Sequence, residues 1–245
     1  LIKPGTNPHT FSPTIGDVKR LTTADIVFAN GLELEPYLES YKNIIFLSDF
    51  LPKEILLKDA HDSHEKDEEH DEEHEHGEFN PHIWVSPQLV RDHIIPQIVK
   101  VLLEKDPKNR ESFEKNAKKL INSLNDVVNR FDQLLSSYKN AVLVITHPSI
   151  VYLTVPYGIE TLALEEGHGK EPSAKRLMEI IEEARSKKLV GIFAEMQFNE
   201  KLLGPIAKEL KREIVVLDPL GVNVKNSVDY YENLLGAFQK ATGVK

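Results

Sequence analysis

At 245 residues, 40% hydrophobic and 28% charged, the chain is long enough for one large domain or two lobes of about 100–120 residues, with the composition of a soluble globular protein. The absence of cysteine excludes disulfides, Cys-type zinc fingers and thiol nucleophiles together. A net charge of −9, with no basic stripe carrying interleaved aromatics, gives no footprint for nucleic acid, and no apolar run approaches the roughly 20 residues that span a bilayer.

Taken in chain order, short β-branched runs alternate with segments of helical periodicity. Gly16–Thr23 reads as an amphipathic helix, followed by buried strands at Asp25–Asn30 and Asn43–Leu47. Next comes a tract of another kind, Ala60–Glu78 (AHDSHEKDEEHDEEHEHGE). It holds five of the chain's ten histidines, His61, His64, His70, His74 and His76, and ten carboxylates against one lysine. Its own charge is therefore −9, equal to that of the whole chain. With almost no apolar residues it cannot contribute to a core and reads as a disordered loop. Mixed imidazole and carboxylate donors suit Zn²⁺ and its neighbours in the later first transition row; a solvated polyanionic loop is the plain alternative.

Past a helical run after Pro87 that contains His93, the stretch Pro107–Tyr138 has no internal proline or glycine. It carries Phe113, Ala117, Leu120, Leu124, Val127, Val128, Phe131, Leu134 and Leu135 on one face. Asp106-Pro107 is a suitable start, and a helix of this length reaches roughly 45–48 Å. Two readings fit it: a long core helix, or a rigid connector between two lobes. Strands at Ala141–Thr146, Leu189–Glu195 and Glu213–Asp218 then alternate with helices at Ser173–Lys187, Asn199–Lys211 and Ser227–Thr242. The fold class is α/β, with mostly parallel sheets whose continuous apolar strands are covered on both faces.

Four residues outside the acidic tract share a position type. His9 (TNPHTFSP) and His82 (FNPHIWVSP) each follow Asn-Pro in a turn, whereas His147 directly follows AVLVIT and Asp218 directly follows EIVVL. The last two sit at the carboxyl ends of expected parallel strands, where open α/β sheets bind ligands. Three imidazoles and one carboxylate form a sensible four-ligand set for Zn²⁺. Each alone has an ordinary role available: a hydrogen-bonding histidine after a strand, or an Asp-Pro turn. The repeated Asn-Pro-His is harder to set aside, because proline stiffens the turn that presents each imidazole. His168 lies in a Gly-flanked polar loop and His93 in a helix; both rank lower. Glu195, ending a strand, is a candidate acceptor for the second N–H of a metal-bound histidine. A zinc hydrolase would need a general base beside an open coordination position. No HExxH is present, since His64-Glu65 is followed at the required place by Glu68, and Glu165, Glu166 and Glu195 are the carboxylates left for that role.

The segments TNPHTFSPTIGDVKRLTTADIVFANGLELEPYL, NPHIWVSP, THPSIVYL, GIFAEMQFNEKLL and LDPLG, in that order, closely resemble the metal-receptor subunits of ABC importers, and among them the zinc-specific (ZnuA-like) branch. The resemblance covers essentially the whole chain. It implies two (β/α) lobes, residues 1–106 and 139–245, joined by one long helix, 107–138, with metal in the cleft between lobes. It implies His9, His82 and His147 as imidazole ligands and Asp218 at the carboxylate position, which in zinc members can pass to water or another carboxylate. A His- and acid-rich loop ahead of NPHIW, here 60–78, is typical of the zinc branch, and an imidazole at the third position, where manganese-type members often carry Glu, also favours zinc. The expected function is a high-affinity Zn²⁺ receptor, not an enzyme, delivering zinc to a membrane permease. A Mn²⁺ or Fe²⁺ receptor of the same family is the alternative. The expected setting is extracytoplasmic and peripheral to the membrane, as a monomer, with a lipid anchor in the full-length form. The family also begins with an export signal and a first strand–helix unit before the TNPH motif. Neither precedes His9 here, so the first lobe is expected to lack that unit, and THPSIVYL departs from the small and aromatic residues common after the third histidine.

Overall fold

Among the described residues six short strands, paired in parallel, carry the architecture: β1 (Val27–Ala29), β2 (Ile44–Phe46), β3 (Val142–Ile145), β4 (Glu160–Ala163), β5 (Leu189–Glu195) and β6 (Ile214–Leu217). The computed structural model describes residues 1–2, 6–59, 78–165 and 172–244. The expected loop 60–78, apart from Glu78, and His168 therefore lie outside the described residues. By their contacts the residues divide into two units, Leu1–Trp84 and Val85–Lys245.

In the first unit the helix Ile15–Thr23 starts at a capping box. The Thr14 hydroxyl accepts from Asp17 N, while the Asp17 carboxylate accepts from Thr14 N, so two otherwise unpaired donors are satisfied reciprocally. At the other end, the Asn43 amide donates to the carbonyls of Leu21 and Ala24, tying the helix end to the residue before β2. β1 pairs with β2 in the register Val27–Ile44, Phe28–Ile45, Ala29–Phe46. Leu21, Ala29 and Leu38 form the small core, flanked by Val27, Tyr37, Tyr41, Ile44 and Phe46. Past β1 the chain turns at Gly31 with φ 87°, where a Cβ would stand 2.1 Å from Ser48 Oγ; only glycine meets both conditions.

The second unit is a sheet of order β4-β3-β5-β6. Every residue of β3 is buried, as are all but the first of β5, which is the burial expected of a parallel sheet covered on both faces. On one face Val142, Val144, Ile192 and Ala194 pack with Ile180 and Ala184 of the helix Ala174–Ser186 and with Ile206 and Ala207 of Gly204–Leu210. On the other, Phe193 meets Phe238 of the C-terminal helix Ser227–Thr242 at 5.0 Å between ring centroids. Phe238 in turn meets Phe131 edge-on at 6.1 Å. Phe131 belongs to the long helix, which runs as an α-helix over Arg110–Leu135 between single 3-10 turns at Pro107–Asn109 and Ser136–Tyr138, about 39 Å of regular helix. Its second half buries Leu124, Val127, Val128, Phe131, Leu134 and Leu135; its first half leaves Phe113, Ala117 and Leu120 half-buried.

β4 lies outside the strands expected from the sequence. Its ETLA run is short and mixes a charge and a hydroxyl with two apolar residues, as an edge strand permits. It begins after Gly158, at φ 67°, and pairs along its length with β3.

β5 and the C-terminal helix approach so closely that Gly191 has no room for a side chain: a Cβ would stand 2.6 Å from the Cβ of Ala241 and 3.1 Å from the Phe193 ring. Gly191→Ala is expected to lift this helix and cost about 1–3 kcal/mol, read as a lower urea midpoint with unchanged secondary structure by circular dichroism.

Candidate metal centre

The two Asn-Pro-His segments adopt one local design. In each, the Asn side-chain oxygen accepts the backbone N–H of the histidine two residues on, Asn7 Oδ1 from His9 N and Asn80 Oδ1 from His82 N, both at 3.0 Å. Such Asx turns are what Asn offers a chain that must bend, and the proline between fixes the remaining backbone angle. The second turn is also anchored to the sheet. Asn30, just past β1, donates from Nδ2 to the Pro81 carbonyl at 2.7 Å, and Asn80 N bonds to Leu57 O at 2.8 Å. His82 is thereby held near the carboxyl end of β1, buried to 3% exposure.

His9 and His82 face each other through their Nε2 atoms, 3.2 Å apart. Two nitrogens bound to one tetrahedral Zn²⁺ at 2.0–2.1 Å stand about 3.3 Å apart. The pair is thus already spaced as a shared cation requires. The ring of His82 is oriented from behind, its Nδ1 lying 2.9 Å from Asn80 Oδ1. An amide oxygen only accepts, so Nδ1 carries the hydrogen and Nε2 keeps its lone pair.

In the second unit His147 follows β3 and is 4% exposed. Three neighbours fix it. Glu195 Oε2, at the end of β5, accepts the His147 backbone N–H at 2.8 Å and the Thr146 hydroxyl at 2.8 Å. Phe198 stacks on the imidazole with 5.2 Å between centroids and 18° between planes. Glu165, following β4, brings its Oε2 to 2.8 Å from His147 Nδ1. Burial pushes the Glu195 carboxyl up, opposed by the nearby His147 and by the hydrogen bonds it accepts.

The acceptor expected for a histidine ring was Glu195; the structure gives that contact to Glu165, and Glu195 grips the backbone instead. The reason is the strand that the sequence left unrecognised. β4 runs beside β3, so its continuation bonds Glu165 N to Thr146 O at 3.0 Å and delivers the Glu165 side chain to the histidine one residue further on.

Asp218, past β6, accepts Asn223 N through Oδ2 at 3.2 Å. Its Oδ1 is buried and meets no hydrogen-bond partner among the described residues, an oxygen suited to a cation. β5 lies between β3 and β6, so the backbones leading to His147 and Asp218 are about 10 Å apart. His93 lies half-buried in a π-helical turn, Val90–Ile94.

A parallel-sheet scaffold with buried imidazoles near strand ends, oriented by amide and carboxylate acceptors, is that of a metal-receptor protein. Residues 1–240 match the family described as zinc-uptake complex component A, periplasmic, and the chain belongs to that family. A protein of Thermotoga maritima named for metal binding is 34% identical over 98% of this chain and 83% of its own. The high-affinity zinc uptake system protein ZnuA of Yersinia pestis is 30% identical over 96% of this chain and 80% of its own. Among solved structures, a crystal structure of ZnuA superposes with a TM-score of 0.78 at 28% identity, covering 98% of this chain and 87% of that one.

With Glu195 removed, the His147 N–H and the Thr146 hydroxyl lose a buried acceptor. Glu195→Ala is expected to cost about 1–3 kcal/mol of stability. Glu195→Gln, which retains an acceptor oxygen and buries no charge, should cost less, the two being compared by urea denaturation.

Proposed function

We propose that this chain is a high-affinity Zn²⁺ receptor that delivers zinc to the permease of an ABC importer, holding the ion with His9, His82 and His147 and with Asp218 as carboxylate. The observation that carries the reading is the 3.2 Å separation of the His9 and His82 Nε2 atoms, the spacing of two ligands on one tetrahedral ion. Each half offers a different kind of support. The two Asx turns present imidazoles from stiff backbone, which lowers the ordering cost of binding, and the second unit adds an imidazole backed by carboxylate charge.

Zinc binds imidazole nitrogens through their lone pairs, so protons compete with it and affinity is expected to fall as pH falls. Three imidazoles suit zinc better than Mn²⁺, which prefers hard oxygen ligands, and the affinity order places zinc above Mn²⁺ and Fe²⁺. The receptor role needs no catalytic base, and the family's description as an uptake component supports a reading without enzymatic chemistry. The site belongs outside the cytoplasm, as the family's description as periplasmic suggests. Among the described residues no helix is long and apolar enough to cross a membrane, and contact with the membrane is proposed to run through the permease and a lipid anchor on the full-length monomer. The tract 60–78 is assigned weak, additional zinc binding, separate from the tight site.

Protein purified without added metal is expected to contain Zn²⁺ at one equivalent, and competition against Mn²⁺ and Fe²⁺ should leave zinc bound. His9→Ala, His82→Ala and His147→Ala should each weaken zinc by more than about a hundredfold, beyond what the loss of an outer partner alone causes. Unchanged tight affinity in His9→Ala and His82→Ala would overturn the assignment. Deleting 60–78 should remove only weak equivalents in calorimetry; loss of the tight site would refute that separation.

A further inference from the structure

We infer that Glu165 is a positioning residue for zinc: its carboxylate locks the His147 ring with Nδ1 protonated, which makes Nε2 the lone-pair nitrogen, and lends the ring charge the other oriented imidazole lacks. The inference rests on the reading of His147 as a ligand. Its evidence lies wholly within the second unit. The His147 Nδ1 to Glu165 Oε2 distance is 2.8 Å, with the two side chains 5% and 8% exposed. An ionised carboxylate only accepts, so the proton of the contact sits on Nδ1.

Two further contacts hold His147 in place. Its backbone N–H is held by Glu195 and one face is covered by Phe198. Glu165 in turn is set by its own backbone bond to Thr146 O, so the pair keeps its geometry through the β3–β4 pairing and not through a flexible side chain alone.

The contrast with His82 separates orientation from charge. Its Nδ1 is met by the neutral amide oxygen of Asn80, which fixes the tautomer but adds no formal charge. A carboxylate does both, and between two largely buried side chains its charge raises the basicity of the imidazole and so the strength of its bond to a cation. His147 is therefore the strongest single donor of the two oriented rings, and Glu165 is what makes it so.

The competing account is that Glu165 and His147 form a buried polar pair of structural value only. Glu165→Gln keeps an acceptor oxygen and the volume while removing the charge; Glu165→Ala removes both. Zinc affinity would be measured by chelator competition for wild type, both variants and His147→Ala. The unfolding temperature of each metal-free protein would be recorded, and long-range proton–nitrogen NMR of the His147 ring would report its tautomer. The expected result for Glu165→Gln is about 10–100-fold weaker zinc, with the Nδ1–H tautomer retained and a metal-free unfolding temperature close to wild type. Glu165→Ala should weaken zinc at least as much and mix the tautomers. If His147→Ala abolishes tight binding while Glu165→Gln and Glu165→Ala bind zinc within threefold of wild type, the positioning role is overturned and the site reading stands. If His147→Ala itself binds as wild type, both fail together.

Discussion

A parallel sheet buried on both faces has nowhere to put polar chemistry except at the ends of its strands, and the proposed site follows from that restriction. β3 and β5 bury all or nearly all of their residues, so a charge in mid-strand would sit unpaired among apolar neighbours. At their carboxyl ends the strands release this constraint. Asn30 follows β1, His147 lies just beyond β3, Glu165 beyond β4, Glu195 ends β5 and Asp218 follows β6. Within the four-stranded sheet, strand spacing sets which of His147, Glu165, Glu195 and Asp218 can meet, and register sets which of them do.

Within that frame all three histidines are held through their backbone N–H, and His82 and His147 through their rings as well. The Asn side chains take the histidine N–H in the first unit, and Glu195 takes it in the second. Anchoring a ligand at two points is what separates a preorganised donor from a histidine that happens to follow a strand. The anchors differ in chemistry, neutral amides on one side and carboxylates on the other. The negative charge thus lies behind a single imidazole and is not spread evenly over the oriented pair.

Much of this was legible in the residues. Strand–helix alternation, the apolar stripe of the long helix and the doubled Asn-Pro-His all appear in the structure as the patterns suggest, because periodicity and proline act locally. The failures share one cause. β4 is an edge strand of four residues with a glutamate and a threonine in it, and an edge needs only one apolar face, so its pattern carries little signal. With β4 unrecognised, Glu165 figured only among the carboxylates left for a hydrolytic base, and the role of ring acceptor passed to Glu195. The function of Asn7 and Asn80 was half visible: proline announced a stiff turn, but that asparagine closes it depends on a hydrogen bond the string of letters does not display.

Asn80 Oδ1 receives two hydrogens from the same residue, one from the backbone of His82 and one from its ring. A single oxygen therefore couples a turn to a tautomer. Rotation of the imidazole out of its plane gives up one of the two hydrogen bonds to the oxygen that closes the turn held by Pro81 and the Asn30 bond. Ring motion that takes nanoseconds on an exposed histidine becomes tied here to the slower local opening of the backbone. The lone pair of His82 is in consequence a standing feature of the fold, present before any ion arrives.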